Sequence, residues 1–232
     1  MPGAAPPWLT TAFVALVLVM AFLVVAALWV RRGAGAAMAI AIALAAWLTG
    51  SALAARAGVF ADFSRLPPRV PLLLIPLLVL IVALCRSTAV GRLLDETPPA
   101  WLVYPQAFRI VMELILWRLF VAGAVPAIMT FEGRNADILV GLTAPLVAWL
   151  ALTRRALSPT VVRWWNVISI LILVNVVIHA QLSAPTPYRV YVTEPPMTFV
   201  AYVPWVWLVC FLVPLAWTLH ALSLRQLRRR AR

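Results

Sequence analysis

The sequence predicts an all-α, polytopic transmembrane helical bundle with seven spans. Three observations carry this reading. The 232 residues are 65% hydrophobic, against about 45–50% in a soluble domain, and the mean hydropathy is +1.01. Apolar runs long enough to cross a bilayer, roughly 20 residues each, recur along the chain. Arginine alternates between rich and poor connections from one run to the next.

The predicted spans are 8–30, 36–55, 70–90, 103–129, 137–153, 163–182 and 199–222. The first follows an N-terminus without positive charge, and its arginines, Arg31 and Arg32, come after it. It reads as a retained helix and not as a cleaved leader. The third holds Pro71 and Pro76, which predict a distorted entry; Ser87 to Leu94 extends it beyond the membrane. The fourth begins at Pro105, a residue well suited to a first helical position. In the fifth, Gly141 and Pro145 allow bending and close contact. Asn135 is placed to cap it, with Asp137 in its first turn, where negative charge suits the helix dipole. Between the sixth and seventh, "SAPTPYRVYVTEPPM" reads as an extended flap or a short surface strand. No internal repeat is apparent, and the chain, 1–232, is expected to form one membrane domain.

One set of connections holds Arg31, Arg32, Arg86, Arg92, Arg154, Arg155, Arg163, Arg225, Arg228, Arg229, Arg230 and Arg232. The opposite set holds only Arg56, Arg65, Arg69, Arg134 and Arg189. Arginine collects on the cytoplasmic side of short loops. The N-terminus is therefore expected outside and the C-terminus in the cytoplasm, with the "RQLRRRAR" tail against anionic lipid headgroups. The net charge of +12 has no compact basic domain to carry it, which argues against nucleic acid. Every basic side chain is arginine. A retinal protein, which needs a Schiff-base lysine, is excluded.

The fourth span keeps Arg109, Glu113 and Arg118 in an apolar helix. A charge at the bilayer centre costs about 2.5–3.5 kcal/mol on insertion scales, so such groups face protein or water. Gln106, Arg109, Glu113 and Trp117 share one stripe, and Arg109 and Glu113 are spaced to pair along the helix. Arg118 points elsewhere. The expected ligand- or ion-binding cluster is Arg109, Glu113, Gln106, Asn166 and His220, with Ser169 nearby. Glu113 takes and releases a proton or binds a cation; burial favours its neutral acid, and Arg109 its anion. A second, outer cluster is expected from Arg118, Asn175, His179, Glu132, Arg134 and Asp137.

No metal site and no cofactor are expected. Cys85 and Cys210 are far apart and form no CxxC pair. His179 and His220 fall near opposite membrane surfaces and cannot sandwich one haem. The boundary tryptophans, Trp8, Trp29, Trp101, Trp164, Trp165 and Trp205, suit an aromatic belt; Trp47 and Trp117 do not. The segments "PQAFRIVMELILW", "MTFEGRNADILVGLTAP", "LSAPTPY" and "WVWLVCFLVPLAWTLHALSLRQL" resemble a group of bacterial multi-pass membrane proteins with no assigned function. The resemblance runs from Pro105 to Leu227 and implies a bacterial inner-membrane location, without an activity. The function expected first is transport-like or ligand-binding. A structural or assembly subunit of a larger membrane complex, and a membrane enzyme or redox subunit, are the alternatives.

Overall fold

The computed structural model describes residues 5–230, and these form helices and connections without a strand. Helix α1 (Pro7–Arg32) opens on Pro7 and closes at Gly33, whose φ of 83° turns the chain directly into α2 (Ala34–Arg56). That left-handed conformation favours glycine. Next come α3 (Arg69–Leu72) and α4 (Leu74–Arg86), broken around Leu73 next to the proline-rich entry. The expected extension beyond Ser87 is a separate helix, α5 (Thr88–Glu96): Ser87 turns to extended backbone and its hydroxyl accepts from the Val90 amide. A short α6 (Ala100–Val103) and a 3-10 turn (Tyr104–Ala107) lead into α7 (Phe108–Val121). Helix α8 (Asp137–Val147) widens into a π turn over Ala148–Thr153. Then follow α9 (Pro159–Ser183), a π turn (Leu208–Leu212) and α10 (Val213–Arg230).

Among the described residues, five stretches are long and apolar enough to cross a membrane: Pro7–Arg32, Ala34–Arg56, Arg69–Arg86, Pro159–Ser183 and Leu208–Arg230. The predicted fifth segment is a shorter apolar helix, Asp137–Thr153. The predicted fourth is corrected. It is three helical pieces in place of one, and it ends at Val121 and not at 129. Gly123, at φ 71°, closes α7, and its amide bonds Phe120 O; a glycine just past the last turn is a common stop signal. The Tyr188–Glu194 segment is extended without strand pairing, anchored by the Val190 and Tyr191 amides on Leu182 O.

Side-chain contacts define two ends of the bundle. At one, Arg118 lies over Trp8, Trp117 donates to Glu132, and Arg134 donates to Tyr191. At the other, Arg32 meets Glu96 and Arg229 meets Asp95. Arg225 there donates to the carbonyls of Leu84 and Ser87, and Arg230 to that of Thr97. The last tail residues, Ala231 and Arg232, lie outside the described residues. The core between the ends packs α1 (Phe13, Val17) and α7 (Leu116, Leu119) around Trp205 and Leu212.

Two backbone details fix the helix positions. Pro214 has no N–H for the Cys210 carbonyl, its i−4 partner. Trp47 Nε1 donates to that carbonyl at 2.9 Å and ties α2 to α10. Gly141 lets α8 lie against α7, for a Cβ there would meet the Ile110 backbone nitrogen at 2.8 Å. Gly50 on α2 faces open space.

Gly141→Ala is therefore expected to lower thermal stability in detergent by about 1–3 kcal/mol, the usual penalty of overpacking. Gly50→Ala should leave the melting temperature unchanged or raise it; equal effects in both would contradict the packing described. A second test concerns Asp95, whose carboxyl the Arg229 guanidinium holds below its ordinary value. A depressed acid stabilises above its unfolded value, and that contribution is lost as pH falls through the folded one. A spin-label distance from Arg92 to Arg228 should lengthen on acidification, and the pH response should vanish in Asp95→Asn.

Candidate functional site

Helix α7 brings Arg109 and Glu113 into the middle of the bundle, 1% and 2% exposed. Gln106, Asn166 and His220 are completely buried, and Ser169 is 1% exposed. The helical stripe read from the sequence therefore faces protein.

The partners differ from those expected. Arg109 does not bridge to Glu113. Its Nη1 donates to Asp137 Oδ1 at 2.6 Å, across the α7–α8 contact. Its Nη2 lies 3.1 Å from His220 Nε2. A guanidinium only donates, so Nε2 accepts. The proton of the neutral ring is then on Nδ1, which donates to Asn166 Oδ1 at 2.8 Å. Asn166 Nδ2 in turn donates to Val162 O and to Ser223 Oγ. Trp165 packs on the His220 ring, with centroids 5.2 Å apart, and donates to Thr143 Oγ1. This tryptophan, expected as a belt residue, helps hold the histidine.

Glu113 is bound from a different side. Asn135 Nδ2 donates to its Oε1 at 2.7 Å and also to Met129 O. Asn135 Oδ1 accepts the Asp137 amide at 2.9 Å, from one residue before the N-cap position, which falls to Ala136 and has no side-chain cap. One asparagine thus starts α8 and holds Glu113. A polar chain results: Glu113, Asn135, Asp137, Arg109, His220, Asn166, Ser223. It links α7, the 122–136 connection, α8, α10 and α9.

Three buried atoms of one stripe have no hydrogen-bond partner: Gln106 Oε1, Arg109 Nε and Glu113 Oε2. Gln106 spends its amide on Ala216 O at 3.0 Å. The charges do not balance within the network. Two carboxyl groups, Asp137 and Glu113, share one guanidinium, and Asp137 holds it.

The expected outer cluster does not form as one group. Asp137 belongs to the buried network. Glu132 accepts from Trp117 Nε1 at 2.8 Å, which accounts for that tryptophan. Arg118, exposed one turn before the end of α7, lies over the rings of Trp8 and Trp117. Arg134, Asn175 and His179 do assemble, around a residue the sequence reading passed over. Arg134 Nη1 donates to Tyr191 Oη, and His179 stacks on the Tyr191 ring at 5.4 Å. Asn175 Nδ2 donates to Arg134 O. The missed residues are Ser223, on α10, and Asn135 and Tyr191, which sit in connections; Asn135 was legible only as a cap.

The family DUF8737, a domain of unknown function, matches residues 67–228. The chain belongs to this family. The match covers more than half of the sequence and includes every residue of the buried network. The family description carries no activity. No curated protein matches the chain, and no solved structure matches it.

Removing one member of a buried ion pair costs about 3–5 kcal/mol, while replacing both with apolar groups is often neutral. Asp137→Leu and Arg109→Met should each destabilise the protein strongly, and the double variant should be more stable than either. A double variant as unstable as the sum of the singles would contradict direct pairing.

Proposed function

We propose that the chain is an integral membrane protein with seven membrane-crossing segments, N-terminus outside and C-terminus cytoplasmic, in a bacterial inner membrane. The five long apolar stretches and the shorter apolar helix Asp137–Thr153 account for six segments, the broken stretch from α6 to α7 is taken as the seventh, and the arginine asymmetry supports the orientation. Arg228 in the tail is exposed and suits anionic headgroups, whereas Arg225 and Arg229 bind protein groups.

Within this frame the protein is transport-like, with Glu113 as a proton carrier. One observation carries the reading: Glu113 is buried, its Oε2 has no partner, and the nearby guanidinium is held by Asp137. Burying an isolated carboxylate costs far more than burying a neutral polar group, which is about 2–7 kcal/mol at most. The site therefore calls for one added positive charge. A hard metal cation takes six or more oxygen ligands; a proton needs one oxygen. Asn135, the hydrogen-bond partner of Glu113, directly follows the exposed Glu132–Arg134 stretch in the chain, so movement of this link would open a way to the carboxyl. The guanidinium in the polar chain does not relay protons, so carriage across the membrane requires the Glu113 carboxyl itself to open to each side in turn.

A second reading, a structural subunit of a membrane complex, is favoured by the enclosure of the network. Neither the cavity beside α1 and α10 nor the cleft at Arg134 is lined by Arg109, Glu113 or His220.

Liposomes carrying the protein and a pH gradient separate the two. Glu113→Gln should slow proton flux at least tenfold. Equal flux in wild type and variant would end the carrier reading. A wild type no faster than protein-free liposomes, with a variant that loses bound partners on purification, would establish the structural reading in its place.

A further inference from the structure

Two cavities of about 360 and 300 Å³ lie along α10. Both are lined by Val24, Ile40, Leu215 and Thr218. They therefore adjoin end to end along one seam between α1, α2, α4 and α10. Its deep end is at Trp47 and Cys210, and its other end at Arg31 and Trp101. From Cys210 to Leu222 the seam follows α10 for about 18 Å, at 1.5 Å per residue. One leaflet of bilayer hydrocarbon is about 15 Å, half of the full core.

Arg31 is the one charged residue lining either cavity among those described. Its guanidinium carbon sits 4.6 Å from the Trp101 ring centroid, and its Nε is buried without a partner. The acids at this end are engaged elsewhere: Glu96 faces Arg32, and Asp95 holds Arg229. The hydroxyls along the seam are spent as well, Thr97 on Leu93 O and Thr218 on Pro214 O. An apolar slot as long as one leaflet, ending in a cation with a spare donor, has the shape and charge of a lipid.

We propose that this seam binds one phospholipid with an anionic headgroup, its acyl chain along α10 and its phosphate on Arg31. The proposal rests on the membrane reading above. An arginine fork pairs with phosphate oxygens, and the quaternary ammonium of a choline headgroup, a cation like the guanidinium, opposes that pairing. Arg225, Arg229 and Arg230 of the basic tail are not among the lining residues; they stand beside the seam and are spent on the Leu84, Ser87 and Thr97 carbonyls and on Asp95.

The test uses the full chain in mild detergent with an equimolar mixture of phosphatidylglycerol and phosphatidylcholine of identical acyl chains. Native mass spectrometry reads the lipid retained. Wild type should keep one phosphatidylglycerol per chain, with at least a fivefold preference over phosphatidylcholine. Arg31→Gln should bring the preference close to one. Ala27→Phe, which fills the seam from α1, should lose the retained lipid while leaving Arg31 in place. Equal retention of both lipids by wild type, an unchanged preference in Arg31→Gln, or full retention by Ala27→Phe would each overturn the proposal. Carbonate extraction separates this from the membrane reading. Protein that stays in the membrane pellet without a lipid preference refutes only the lipid site, and protein released by carbonate refutes both.

Discussion

The bundle depends on one buried contact, the Arg109 guanidinium between Asp137 and His220. It lies where three helices meet. A guanidinium in an apolar interior is costly unless its charge is matched and its donors are used; Nη1 and Nη2 are paired here, and Nε is not. Asp137 supplies the charge, and His220 supplies an acceptor only in its neutral Nδ1–H form. That tautomer requires Asn166 to present its oxygen, which leaves the Asn166 amide for Val162 and Ser223. Each hydrogen-bond assignment forces the next. The geometry in turn requires α8 to lie close to α7, which Gly141 allows, and α8 to begin at Asp137, whose amide Asn135 holds.

The same arrangement isolates Glu113. It stands one turn from Arg109, yet the arginine is turned towards α8 and α10. Asn135 gives Glu113 one neutral hydrogen bond and ties it to the connection that starts α8. Any change in the charge of Glu113 therefore acts first on that connection. The connection touches the outer flap through Arg134 and Tyr191. A physical path thus leads from a buried acid to an exposed loop, through residues in direct contact.

Much of this was legible in the sequence. The apolar runs located five long stretches among the described residues, because length and hydropathy are properties of the segment alone, although the last begins at Leu208 and not at 199. The stripe from Gln106 to Glu113 was legible because helical periodicity assigns a face. The Arg109 partner was not, because spacing along one helix favours a neighbour four residues away, whereas the tertiary contact with α8 puts an acid closer. Asp137 appeared as an ordinary first-turn acid, and nothing local distinguishes an exposed one from one that meets an arginine. The end of α7 was overrun because Ala122, Ala124 and Val125 continue the apolar composition past Gly123. Trp47 was unexplained until Pro214 was seen to free a carbonyl opposite it.

The central proposal is that Asp137 holds the one buried guanidinium and leaves Glu113, whose Oε2 has no partner, as the neutral acid. Infrared spectroscopy of the protein in lipid at neutral pH reads this directly, as the carbonyl stretch of a buried carboxylic acid. The account predicts such a band in wild type and its loss in Glu113→Gln. A wild type without the band, or a band that survives in Glu113→Gln, would contradict it.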